Sequence, residues 1–385
     1  MRVIEPGSRH GFGIGCFTFE PVANTKTDRL TAEEACRSPQ VFTETVRTAL
    51  QSIPGISGLH FDGLRDMSST RPPANDHHSD RRPDEWGFSP NFLSGTIDFV
   101  VTIFVDTQRT LAQRLGLVAS PGLNGERFQV KIEYGWHFPV TLVRPLDRSV
   151  APSSAVQLVR EFLADELKTR KAPIRLVLLG PSPWHADLWV KPEPTATHLI
   201  EVERIPQTGY DDIVFTYDDS ARSLEEAFDE VWADIRPELS LYYAIVNKRS
   251  LAMRGWGILA QNIENFVGMH TATGPKAWVN RALRAGRKGR RLSIEVLQLQ
   301  NAEALYRSSI REGVEETYQA PSLQTFREYI ERAAEFEANV FYPRAREVVD
   351  LLEARRTHEV EALALLVSGV LGGSAGAALT ALVTR

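Results

Sequence analysis

The sequence predicts an α+β protein: an N-terminal mixed β-sheet domain with helices over residues 1–221, an all-helical domain over 222–361, and a single C-terminal transmembrane helix over 362–384. Three observations carry this. Runs such as Thr96–Val105 and Phe128–Tyr134 are β-rich, the latter alternating apolar and polar residues as a half-buried strand does. From Ser223 the period changes to that of helices. The chain then closes on 23 residues without a charge, Ala362 to Thr384, before Arg385.

Composition sets the outer bounds. At 385 residues, 43% apolar, 24% charged and net −5, the chain has room for two folded domains and shows no global signal for nucleic acid. The two cysteines, Cys16 and Cys36, fit a reducing compartment. The N-terminus lacks the apolar stretch of a secretory signal, so residues 1–361 are expected on the cytoplasmic side.

In chain order, the first element is a short strand over Gly13–Phe19. Gly11, Gly13 and Gly15 match no phosphate-binding loop and read as a turn. A helix follows from Pro39 to about Ser52, where Pro54 ends it. Asp66 to Pro90, rich in Ser, Pro, Asp and Arg, reads as a long exposed loop. Past the strands already named, Phe138–Val143 extends or pairs with its neighbour. Pro152–Lys168 is helical, with Ser153 or Ser154 as cap. Ile174–Leu179 is apolar apart from Arg175 and predicts a central strand buried on both faces. Leu188–Val190, His198–Ile205 and Asp212–Tyr217 complete a sheet of six or seven strands.

The helical part opens on Ser223-Leu-Glu-Glu226, the spelling of a capping box. Leu224, Phe228, Val231, Trp232 and Ile235 form the apolar stripe behind it, and Pro237 is expected to interrupt the helix. A second helix runs from Glu238 to about Met269. Two more, about Leu292–Tyr318 and Ser322–Phe341, carry Gln, Asn and Glu on their outer faces.

The uncharged tail has the length of a membrane span, ~34 Å as a helix against a hydrocarbon core of ~30 Å. Its six Leu and three Val contribute about −3 to −5 kcal/mol on an insertion scale, a marginal value. Gly369, Gly373 and Ala377 recur every four residues, as do Gly372, Gly376 and Thr380. Small residues so spaced let helix backbones approach closely in lipid, which predicts self-association through this segment.

Four groups of residues are candidates for binding or chemistry. Asp76, His77, His78 and Asp80 are the densest potential metal ligands, although adjacent histidines on extended chain point opposite ways. His137 lies among aromatics, and His185 with Asp187 has the residue types of a base and its orienting partner. Arg281, Arg284, Arg287, Lys288, Arg290 and Arg291 place six cations in eleven residues, broken by Gly286 and Gly289. They read either as a solvated inter-helix loop or as a patch for anionic headgroups or a phosphorylated ligand. Trp256 and Trp278 are expected as core anchors. No cofactor is indicated.

Together these residues predict a tail-anchored sensor or effector that takes a small-molecule or protein trigger, forms a homo-oligomer and perturbs or permeabilises the lipid bilayer. A soluble module ending in one membrane helix resembles the layout of bacterial cell-suicide and antiphage membrane effectors, and the long helix entering the membrane in CorA-type ion channels. The Gly-Met-Asn signature and second membrane helix of the latter are missing here. Two alternatives stay open: a membrane-anchored hydrolase using His77 and His78 or His185 and Asp187, and a non-catalytic membrane scaffold.

Overall fold

The computed structural model describes residues 9–22, 38–66, 93–117, 126–135, 139–147, 151–180, 186–193, 200–206, 211–319 and 324–335, together with 345, 347–352, 354 and 361. It is a mixed α+β structure with a large sheet and several helices. Among the described residues no helix is long and apolar enough to cross a membrane; the tail 362–384 lies outside them.

Among the described residues nine strands form the sheet: β1 (His10–Pro21), β2 (Ile56–Asp66), β3 (Leu93–Ile103), β4 (Glu126–Tyr134), β5 (Val140–Pro145), β6 (Ile174–Gly180), β7 (Ala186–Pro192), β8 (Ile200–Ile205) and β9 (Asp211–Tyr217). Their order is β2-β3-β4-β5-β1-β7-β9-β8, with β6 attached to β1 off this path. Every pairing is antiparallel except β7 with β9.

β1 pairs with three other strands. Gly13–Gly15 pair with β5, Cys16–Pro21 with β6 and His10–Phe12 with β7. Helix α1 (Pro39–Gln51) has Ser38 as its cap, accepting from the Val41 amide. With α2 (Val105–Leu115) and α3 (Pro152–Thr169) it packs a core on Phe17, Phe19, Phe99, Val130 and Ile132.

The alternating glycines are not a turn. They sit inside β1, where α3 crosses the strand so closely that a Cβ on Gly13 would lie 2.2 Å from the Pro152 carbonyl oxygen and one on Gly11 2.4 Å from Pro152 Cγ. Period-two spacing puts them on one face, and bare backbone there is what lets the helix approach.

Three other expectations need correction. β6 is no central strand: among the described residues it pairs with β1 alone, and Arg175 bonds Glu20, its register partner, at 3.0 Å. α3 is not capped by Ser153 or Ser154 side chains. Ala151 is the cap residue, Pro152 fills the first turn, and the Ser153 amide donates to Asp187 Oδ1 at 2.9 Å. Pro237 does not stop a helix either, since α4 runs unbroken from Leu224 to Thr271. The carbonyl that Pro237 leaves without an amide partner belongs to Ala233, an exposed residue, so water can serve it.

The capping box at the start of α4 forms as spelled. The Ser223 amide donates to Glu226 Oε2 at 2.8 Å, and the Glu226 amide to Ser223 Oγ at 3.3 Å. Phe228, Val231, Trp232 and Ile235 are buried behind it, Phe228 meeting Phe12 edge-on at 5.3 Å between ring centroids.

α4 is followed by α5 (Pro275–Asn280), a π-helical turn (Arg281–Ala285), α6 (Gly286–Thr317) and α7 (Arg327–Ala334). Contacts divide the chain into one unit of residues 1–247 and 313–333 and a second of 248–312 and 334–385. In the second unit α4 and α6 run antiparallel, with Lys248 Nζ bonded to Ser309 Oγ at 2.6 Å and Asn262 Nδ2 to Glu295 Oε2 at 3.2 Å. Trp256, Leu259, Phe266, Leu292, Val296, Val349 and Leu352 form its core. The outer face of α6 is less polar than its Gln, Asn and Glu content predicts, because Ile294, Leu297 and Leu305 are exposed on it.

Candidate functional site

Glu238 is a carboxyl buried inside the first unit. It stands one residue after Pro237 in α4 and is 1% exposed. Helix geometry turns it away from water, and polar groups from elsewhere in the same unit meet it. The Tyr318 hydroxyl donates to its Oε1 at 2.8 Å, and the Phe326 amide donates to Oε1 and Oε2 at 3.3 and 3.2 Å.

Burial raises the Glu238 carboxyl from 4.5 to about 7, overriding the opposing pull of the Tyr318 and backbone hydrogen bonds. Asp234, one turn earlier, is also raised, first by burial and then by the negative charge of Glu230. Burial likewise pushes the Tyr318 hydroxyl well above its ordinary value, with the Glu238 charge adding to this. The Arg327 guanidinium lies 5.1 Å over the Tyr318 ring and bonds Glu331 at 2.7 Å. A carboxyl so placed can take up or release a proton near neutrality.

Two further part-buried polar contacts stand out, one joining α4 to the sheet and one within the sheet. Glu133, on the polar face of β4, accepts from Trp232 Nε1 at 2.6 Å and pairs with Arg236. At the β7 and β9 end, Asp212 accepts from Trp189 Nε1 at 2.7 Å and from Arg9, whose guanidinium stacks 3.9 Å over the Trp189 ring. Replacing Glu133 by Ala leaves an indole N–H and a guanidinium without their carboxylate. An expected loss of about 2–3 kcal/mol, below the fully buried figure because Arg236 is part-exposed, can be read by denaturant melts.

The residues singled out from sequence fare differently. Asp76, His77, His78 and Asp80 lie outside the described residues, as do His137 and His185; among the described residues no group of three or more His, Cys, Asp or Glu could hold a metal ion. Asp187 is described, and its carboxylate caps the start of α3. Gly369, Gly372, Gly373 and Gly376 lie outside the described residues. The Cys16 thiol donates to the Pro139 carbonyl at 3.1 Å, and burial raises it well above the ordinary value.

The basic run is helical throughout, not a loop, and Gly286 and Gly289 are buried within that helix. Arg281 turns inward to the Ala272 carbonyl, and Arg291 pairs with Glu295 at 3.0 Å. Arg284, Arg287 and Arg290 are exposed. Trp256 is part of the second unit's core as expected, while Trp278 is half-buried.

Sequence reasoning passed over Glu238 because one Glu in a helix carries no local signal. The one feature beside it is that it stands between Pro237 and a mostly apolar stretch, Leu239-Ser-Leu-Tyr-Tyr-Ala-Ile-Val246, which marks burial of the helix but not a site. No protein-family model matches the chain, and no curated protein or solved structure matches it either.

Proposed function

We propose that the chain is a tail-anchored membrane protein, a sensor or effector that associates through residues 362–384 and perturbs or permeabilises the bilayer. The observation that carries this reading is the 23-residue uncharged segment with its two rows of small residues, Gly369-Gly373-Ala377 and Gly372-Gly376-Thr380. Exposed Arg284 and Arg287 on one helical stretch support it, since cations near an anionic surface each contribute ~1 kcal/mol within a Debye length of ~8 Å. In this account residues 1–361 are cytoplasmic, and the sheet-bearing unit receives the trigger.

The test is dye release from vesicles of mixed zwitterionic and anionic lipid. The full chain releases dye, and Gly373→Ile or Gly376→Ile cuts release by about tenfold, because a branched side chain on a small-residue face holds the helices apart. Circular dichroism should be unchanged. Release equal to that of the parent chain from both variants overturns assembly through this face. Membrane binding without any release favours the scaffold reading.

A further inference from the structure

We propose that α6 is a homodimer interface that pairs antiparallel with α6 of a second copy, about a two-fold axis through Asn301. The stripe consists of Arg290, Ile294, Leu297, Asn301, Leu305, Ser308 and Glu312, all exposed. Ile294, Leu297 and Leu305 are 54%, 49% and 70% exposed, a row of large apolar side chains along one face of one helix.

The spacing is what identifies the partner. Counted outward from Asn301, the stripe steps by four, three and four residues in both directions. Each eleven-residue repeat averages ~3.67 residues per turn, so the stripe follows the helix axis almost straight. Reversing the helix about Asn301 sets Leu297 against the partner's Leu305, Ile294 against the partner's Ser308 and Arg290 against the partner's Glu312. The apolar residues stay central and the charges at the ends meet with opposite sign. An isologous interface requires this self-complementarity. An amide at the midpoint fixes register, as a polar residue does in helical pairs. A lipid surface fits less well, since Glu312 at one end of the stripe would face anionic headgroups.

The pairing concerns the described body and stands whether or not 362–384 enters a bilayer. It is tested on the full chain in detergent micelles by oxidative cross-linking with copper phenanthroline, with the parent chain as baseline for its own cysteines. Asn301→Cys is expected to cross-link to a dimer. Arg290→Cys is not, because in the antiparallel pair its two copies lie ~33 Å apart. In the Asn301→Cys background, Arg290→Glu and Glu312→Arg should each slow cross-linking about tenfold, and the two together should restore it. No dimer above baseline from Asn301→Cys, equal cross-linking by Arg290→Cys, or charge reversals without effect each overturn the proposal. Contact driven by the tail alone would give the second or third of these results.

Discussion

Between pH 4.5 and about 7 the folded protein is expected to lose on the order of 3 kcal/mol of stability through Glu238 alone. Below that window the carboxyl is protonated in both folded and unfolded chains, and its contribution is fully present. Within it the unfolded chain gives up the proton while the folded chain keeps it, so raising the pH favours unfolding. Above about 7 both have lost it and the effect levels off. Asp234, shifted upward as well, acts in the same direction. Other carboxylates titrate too, so the informative quantity is the difference between the parent chain and Glu238→Gln in denaturant melts across the range. The amide keeps an acceptor for Tyr318 or Phe326 without an ionisable proton, and the slope assigned to Glu238 should vanish. Glu238→Ala should instead cost about 2–4 kcal/mol at pH 5, because the Tyr318 hydroxyl and Phe326 amide lose their acceptor in a buried site. A parent chain with the same pH slope as Glu238→Gln would mean that the carboxyl is solvated.

Gly13→Val should be more damaging still. The new Cβ would sit 2.2 Å from the Pro152 carbonyl oxygen and 2.4 Å from Val156 Cγ2. One obstacle is backbone at the first turn of α3, so relief requires the helix to lift from β1. An expected cost of about 3 kcal/mol or more would leave a domain of ordinary stability barely folded. Expression and melting temperature report it directly. Gly63→Ala offers a comparison, since no atom lies within 4 Å of its added Cβ and only the backbone at φ +60° resists. A smaller loss there than at Gly13 would separate crowding from conformation.

How much of this was legible in the sequence depends on what each element announces locally. β4 alternates cleanly, the capping box at Ser223 is spelled out, and α1 and α3 keep helical spacing; all formed where expected. β2 was missed because Gly58 and Gly63, at φ +62° and +60°, break its alternation where its pairing to β3 shifts register. α2 was missed because it buries little beyond Leu111, Ala112 and Gln108, while the apolar run before it continues through exposed Phe104. The acceptor cluster at Glu238 joins residues 80 and 88 positions apart, a distance at which sequence pattern says nothing. The α6 stripe was hidden for another reason: its apolar residues are spread among Gln, Asn and Glu, and only exposure separates them from the inward face of the same helix.

Attachment to the bilayer is the claim on which the functional account turns, and extraction of cell membranes with alkaline carbonate tests it most directly. A chain held only by cations such as Arg284 and Arg287 is released, because electrostatic attraction fades within a Debye length and competes with salt. A chain held by burial of residues 362–384 stays in the pellet and leaves it only with detergent, and this is the predicted result. Recovery of the full-length chain in the carbonate supernatant would contradict the account.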